Sequence, residues 1–534
     1  MSRTTFLKGA LILTVAGIVV KIIGSVNRIL ISRLLGGEGV GLYQMAYPIY
    51  LLALSISSAG IPVAISIIVA EKVALGDFKG ANRVFRISLG VLSVTGLVFT
   101  FLLYFGAGWL IEHQFVRDAR AYWAIIALAP AIFFVTVLSS YRGYFQGLQM
   151  MTPTAVSQIY EQLFRVVTMI VLAYFLLDHG LEYAAAGASF GAGPGAAAGL
   201  VVLLYYYVRH RAWFKGKMTL QSESIKKDSV FYIVSRIVKL ALPVSLANIM
   251  LPIAANIDLL VVPARLEVAG HATARATELF GYLTGMAVPL VNMATILTAS
   301  LAVSLVPAVS EAHALKEKAV VYQRTANAMR IANIITLPSF VGMALLATPI
   351  SQMLYGTPNA GTSIAIMAVG IFLLGIHQVT TGVLQGLGRT AIPVVNMFVA
   401  LVLKFAISWH FTAIAGIGIK GAAWATVADF GVAALLNMYF VYKYVGFAVD
   451  LKDTFKAAVA CVVMGITVLF VYHGLMAELL NNNLATLGAI LAGALVYAAG
   501  LFLTGAVDVK DIERLPRVGD KLARILAKLK LLRR

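Results

Sequence analysis

Acidic residues are scarce in this 534-residue chain: 23 Asp and Glu stand against 42 Lys and Arg, and charged residues make up only 12%. A soluble globular chain has about a quarter of its residues charged, so a water-facing surface of ordinary size is missing. Cysteine is nearly absent. The single one, Cys461, cannot close an intrachain disulfide, and redox chemistry is not indicated. The chain also lacks a Walker loop, an H-E-x-x-H pair and a G-x-S-x-G elbow. It therefore reads as a non-enzyme without an ATP site or a bound cofactor. No gap between its apolar blocks reaches the ~50 residues of a soluble domain. The first apolar stretch, from Phe6, carries Lys21 and Arg28 and lacks the cleavage site of a secretory signal. It reads as a retained helix.

What is present is hydrophobic: 60% of residues, gathered in blocks near the ~20 residues that span a bilayer. The blocks predict an all-α integral membrane protein of about fourteen transmembrane helices. The predicted spans are 9–34, 45–70, 87–111, 121–145, 154–177, 183–208, 237–263, 277–308, 329–353, 362–386, 391–414, 420–443, 454–475 and 484–505. Lys and Arg gather in alternate connections. By the positive-inside rule this predicts that both termini and the 209–236 segment are cytoplasmic, in a multi-pass protein of the cytoplasmic membrane. The net charge of +19 is then explained by orientation and anionic lipid headgroups, and no nucleic-acid partner is expected.

Internal repetition predicts two six-helix lobes. Gln146-Gly147-Leu148 recurs as Gln385-Gly386-Leu387, and at nearly the same offset Arg165 meets Lys404 and Val69-Ala70-Glu71 meets Val309-Ser310-Glu311. An even number of helices per repeat gives both lobes one orientation, the parallel repeat of many transporters around a central cavity. The expected organisation is an N-terminal lobe, 1–208; a basic linker, 209–236; a C-terminal lobe, 237–443; two extra helices, 444–505; and a basic tail, 506–534. Within the tail, Leu522, Ile525, Leu526 and Leu529 oppose Lys521, Arg524 and Lys528, a pattern suited to lying on an anionic leaflet.

Among the charged side chains inside the spans are Lys21, Arg28, Arg33, Glu161, Arg165, Asp258, Lys404 and Asp429. Facing lipid, each would cost roughly 2.5–3.5 kcal/mol, together more than a net stability of about 5–15 kcal/mol. Most must pair, reach the interface or line water. Glu161 and Arg165, one turn apart, are expected to neutralise each other. Lys21 and Arg28 lie two turns apart on one face, with Gly24 and Ser25 between them and no acid in the helix. They predict a cationic stripe facing an anionic cargo. The seventh helix presents Ser245, Asn248, Pro252 and Asn256 on one face, and its prolines 243, 252 and 263 are expected to break or bend it. Gly60 and Pro62 predict a second bend. His377 and His410 read as packed or cavity-lining residues rather than metal ligands.

Other residues carry a resemblance. The run Tyr141-Arg142-Gly143-Tyr144-Phe145-Gln146-Gly147, followed by Met151, Pro153, Ser157-Gln158, Glu161-Gln162 and Arg165, is one part. The opening Thr5-Phe6-Leu7-Lys8-Gly9 is another, continuing through Val26-Asn27-Arg28, Glu38-Gly39-Val40-Gly41-Leu42-Tyr43 and Pro62-Val63-Ala64-Ile65-Ser66. Over nearly the whole chain these residues resemble the stage V sporulation protein B family. That family lies within the multidrug/oligosaccharidyl-lipid/polysaccharide exporter superfamily, beside the MurJ lipid II flippases. The resemblance implies fourteen helices, two lobes and movement of an undecaprenyl-pyrophosphate-linked peptidoglycan precursor for spore cortex synthesis. It implies Lys21 and Arg28 as pyrophosphate ligands, the peptidoglycan synthesis machinery as a partner, and coupling to sodium or the membrane potential. Asp258, Asn396 and Asp429 are the sodium candidates. The competing expectations are an exporter of another lipid-linked polysaccharide, a drug/cation antiporter, a membrane glycosyltransferase and a non-transporting scaffold.

Overall fold

The computed structural model describes residues 3–58, 60–219, 221, 228–448 and 451–505; the expected tail helix and most of the 220–227 stretch of the linker lie outside them. Among the described residues the chain is helical, with no strand. The first helix, Arg3–Ser58, has 56 residues, about 84 Å at 1.5 Å per residue, far beyond one crossing of a ~30 Å hydrocarbon core. Its backbone leaves the helical region once, at Gly36 (φ 65°, ψ −172°). It therefore supplies two crossings, α1 (3–35) and α2 (37–58, continuing as Ile61–Ala74). Thirteen segments are long and apolar enough to cross a membrane, and the first of them, Val15–Ala74, holds both α1 and α2. Among the described residues this gives fourteen candidate crossings.

The others follow in order: α3 (Phe78–Glu112), α4 (Tyr122–Gly147), α5 (Met151–Leu176), α6 (Leu181–Phe190 with Ala192–Thr219), α7 (Val230–Val268) and α8 (Thr273–Phe280 through Ile296–Ala314). Then come α9 (Lys318–Leu345 with Ala347–Tyr355), α10 (Gly361–Gly386), α11 (Ala391–Phe411), α12 (Ile419–Val445), α13 (Leu451–Leu479) and α14 (Asn482–Leu503). The chain forms two compact units, Met1–Gly281 and Tyr282–Arg534. The division falls where α8 opens into a π-helical turn, Gly281–Ala287.

The bend expected at Gly60 is present. Gly60 is left-handed (φ 75°), and a Cβ there would lie 2.5 Å from the Ala241 carbonyl of α7. Only glycine meets both demands. Pro62 then occupies the first turn of the continuing helix, where its missing N–H costs nothing. The expected break in α7 is not found: Val230–Val268 runs as one helix of 39 residues. Asn256 Nδ2 donates to the Pro252 and Pro48 carbonyls at 2.8 and 2.9 Å, holding α7 against α2.

Each unit has its own core. In the first, Ile65, Ile68 and Val69 of α2 meet Phe85 of α3, Tyr144 and Phe145 of α4, and Ile237 of α7. In the second, Leu305 and Val309 of α8 meet Met329 of α9 and Val379 and Val383 of α10. One close helix crossing recurs in both. A Cβ on Gly147 would lie 2.6 Å from Val69 Cβ, and one on Gly386 would lie 2.7 Å from Val309 Cβ. The repeated Gln-Gly-Leu triplets mark the same close crossing in each unit.

Candidate functional site

Arg28, half-buried on α1, donates from Nη1 to Gln44 Oε1 at 2.9 Å. Its guanidinium carbon lies 5.7 and 5.5 Å from the ring centroids of Tyr43 and Tyr47 on α2. Those two rings stack at 5.4 Å, and Tyr50 continues the ladder at 5.8 Å from Tyr47. From α5, Arg165 reaches the same rings. Its guanidinium carbon is 5.4 Å from the Tyr47 centroid, and Nη2 donates to Tyr43 Oη at 3.5 Å. Two guanidinium groups therefore flank one pair of tyrosines.

Glu161 does not neutralise Arg165 as the spacing suggests. It accepts from Arg142 Nη2 of α4 at 2.7 Å, and Arg142 also donates to Ser157 Oγ at 3.1 and 3.2 Å. Neither Arg28 nor Arg165 has a carboxylate partner among the described residues. The tyrosine faces offset about 0.5–2 kcal/mol of each desolvation cost but contribute no negative charge. Two positive charges remain inside the membrane-crossing part of the chain, beside phenol and amide groups.

The other sequence-predicted residues lie at differing depths. Lys21 is exposed on α1, and Gly24 and Ser25 are half-buried. A Cβ on Gly24 would sit 3.4 Å from Gln162 Nε2, so this stretch of α1 runs close to α5. Asn27 fastens the same contact by donating to Met169 Sδ at 3.0 Å. Asn248 is exposed on α7, and Asn256 is committed to the two carbonyls already described. Asp258 is buried in the first unit; Asn396 and Asp429 are buried in the second. Asn396 Nδ2 donates to Asn437 Oδ1 at 2.8 Å, and Asn437 Nδ2 donates to Thr381 Oγ1 at 2.9 Å.

The second unit has a recess of its own, ≈ 450 Å³, between α8 and α10. Ala302, Val303 and Val306 form an apolar wall; His377, Gln378, Thr381 and Gln385 form an uncharged polar one. Such a wall can hydrogen-bond hydroxyl and amide groups.

Charge outside the crossings is concentrated at the bundle ends. At the α1–α2 end, Asp118 accepts from Arg120 and from Thr277 Oγ1, and Arg120 also pairs with Glu38 at 2.7 Å. Burial opposes the Asp118 charge, but these donors outweigh it and hold the carboxyl below the usual range. At the opposite end, Asp77 caps α3 through the Gly80 amide and binds Gln221 and Lys72. Burial opposes its charge too, yet the donors keep that carboxyl low.

The polysaccharide biosynthesis protein family matches residues 6–313, and the MatE family matches residues 283–410. Stage V sporulation protein B of Bacillus subtilis (strain 168) is 32% identical over 533 residues, 98% of this chain and 100% of that protein. Lipid II flippase MurJ of the same organism is 26% identical, over 86% of this chain and 87% of that protein. Among solved structures, lipid II flippase MurJ in an inward closed conformation superposes with TM-score 0.69 at 16% identity, over 92% of this chain and 98% of that one. An inward-facing MATE family transporter of the MOP superfamily gives 0.67 at 15% identity, over 80% and 94%.

Proposed function

The chain belongs to the polysaccharide biosynthesis protein family, and from that membership we propose that it is a flippase. Its cargo is an undecaprenyl-pyrophosphate-linked peptidoglycan precursor, carried across the cytoplasmic membrane by alternating access of two lobes. One observation carries the reading. Arg28 and Arg165 share a tyrosine ladder inside the membrane-crossing helices and have no carboxylate partner among the described residues. A pair of half-buried cations without an anion is costly among membrane-crossing helices, and a pyrophosphate offers the oxygens that guanidinium forks bind in bidentate fashion. Lys21, two turns before Arg28, extends the cationic face as a mobile point charge, with Gly24, Ser25, Asn248 and Asn256 lining its path.

A cationic drug as cargo would meet like charge at Arg28 and Arg165, so the antiporter reading is disfavoured. Transport is coupled to sodium or to the membrane potential. In a spore-forming cell the product would supply cortex synthesis. The test is purified protein in vesicles with a fluorescent pyrophosphate-linked glycolipid in one leaflet. Transfer of that lipid, and not of a neutral glycolipid with the same chain, is expected. Equal transfer of both, or of neither, would refute the reading.

A further inference from the structure

A separate recess opens in the first unit, far in sequence from Arg28. It lies between the start of α3, the end of α4 and the last turns of α6, and Tyr144, Phe214 and Met218 form its apolar side. Tyr144 and Phe214 meet edge to face at 5.7 Å. Arg86, Arg211 and Lys215 form its rim. The walled interior is small, ≈ 40 Å³, enough for about three waters at ~10–15 Å³ each, and so for one phosphate group.

Position and charge both narrow the occupant. The helix Ala192–Thr219 has 28 residues, about 42 Å at 1.5 Å each, so its last turns emerge from a ~30 Å core at the headgroups. Among the described residues, the acids beside these helix ends are engaged elsewhere. Asp77 and Asp228 hold Lys72, and Glu71 holds Arg236. Arg86, Arg211 and Lys215 therefore have no carboxylate partner among the described residues. A basic rim above an aromatic floor at the membrane boundary matches an anionic amphiphile.

We propose that this recess binds the phosphate of an anionic phospholipid, with the glycerol and first acyl carbons against Tyr144, Phe214 and Met218. The site is independent of the cargo assigned to Arg28. A free phosphate compound has the same charge chemistry but gains nothing from the apolar side, so the experiment separates the two.

Purified, delipidated full-length protein is titrated by native mass spectrometry with phosphatidylglycerol, phosphatidylcholine and inorganic phosphate. Phosphatidylglycerol should be retained in preference to phosphatidylcholine, and millimolar inorganic phosphate should not displace it. Each basic residue near such a surface contributes about 1 kcal/mol, roughly fivefold in affinity. The variant R86Q/R211Q/K215Q should then bind phosphatidylglycerol about a hundredfold more weakly, and R86K/R211K should retain most of it. If the triple variant fails to fold, the single rim variant R211Q, expected to lose about fivefold, replaces it. Unchanged retention in a folded variant, equal retention of phosphatidylcholine, or displacement by inorganic phosphate would overturn the proposal.

Discussion

At the scale of single residues, the reading turns on which acid neutralises which base. Glu161 sits one turn before Arg165, yet its partner is Arg142 from the neighbouring helix at 2.7 Å. Pairing along one helix is worth only about 0.2–0.5 kcal/mol, so a well-placed partner on another helix wins. That competitor cannot be seen in the spacing of α5 alone, which is why Arg165 looked structural. Tyr43, Tyr47 and Tyr50 were overlooked, although spacings of four and three residues mark one helical face. The Lys21–Arg28 stripe is an expectation from the lack of an acid on α1; in the structure Arg28 meets the tyrosine ladder and Lys21 is exposed.

Binding of a soluble pyrophosphate-bearing analogue should reflect these roles. A charged hydrogen bond contributes about 1.5–3 kcal/mol, so Arg28→Ala or Arg165→Ala should weaken binding roughly 10- to 150-fold. Arg28→Lys should recover part of the loss, since it keeps charge without the fork. Isothermal titration on folded protein measures this, and unchanged affinity in Arg165→Ala would remove that residue from the site.

Asp118 gives a pH prediction. Its folded carboxyl lies below the usual range, so it contributes stability that is fully present above the unfolded value, ~3.9. That stability is lost as pH falls through the lower folded value. Thermal unfolding in detergent should therefore weaken progressively on acidification below about pH 4. Asp118→Asn, at neutral pH, should already cost about 1–3 kcal/mol by unpairing Arg120 and Thr277. A variant as stable as the parent at neutral pH would contradict this role.

At the scale of helices, glycine carries the close crossings. Gly147 on α4 faces Val69 and Gly386 on α10 faces Val309, each within 2.7 Å of where a Cβ would stand. Overpacking of this kind costs about 1–3 kcal/mol. Gly147→Ala and Gly386→Ala should each lower unfolding stability by that amount, and by similar amounts if the two contacts are true repeats. A neutral effect at one site only would argue against structural equivalence. The two Gln-Gly-Leu triplets were visible as a repeat, but their meaning as crossing points needs the partner valines in space. The Gly60 bend was legible for a similar reason, because left-handed glycine followed by proline is a local signal. The unbroken α7 was not, because Asn256 stabilises it through a carbonyl on α2.

At the scale of the whole chain, fourteen crossings were readable because bilayer thickness fixes helix length and backbone groups must be satisfied within lipid. The orientation follows from basic residues in alternate connections, which predicts that the 209–236 segment and both ends face the cytoplasm. Membrane-impermeant labelling of single cysteines, in a Cys461→Ser background, should find position 217 protected in intact cells and position 119, exposed in the α3–α4 connection, modified. The reverse pattern would overturn the topology.

The central claim is that Arg28 and Arg165 together hold a pyrophosphate while the glycolipid crosses. It is tested most directly by the rate of pyrophosphate-linked glycolipid translocation per folded molecule in vesicles, comparing the parent protein with R28A/R165A at equal insertion. The account predicts rapid transfer by the parent and transfer near the protein-free background for the double variant. Parent-like rates from well-folded double variant would contradict it.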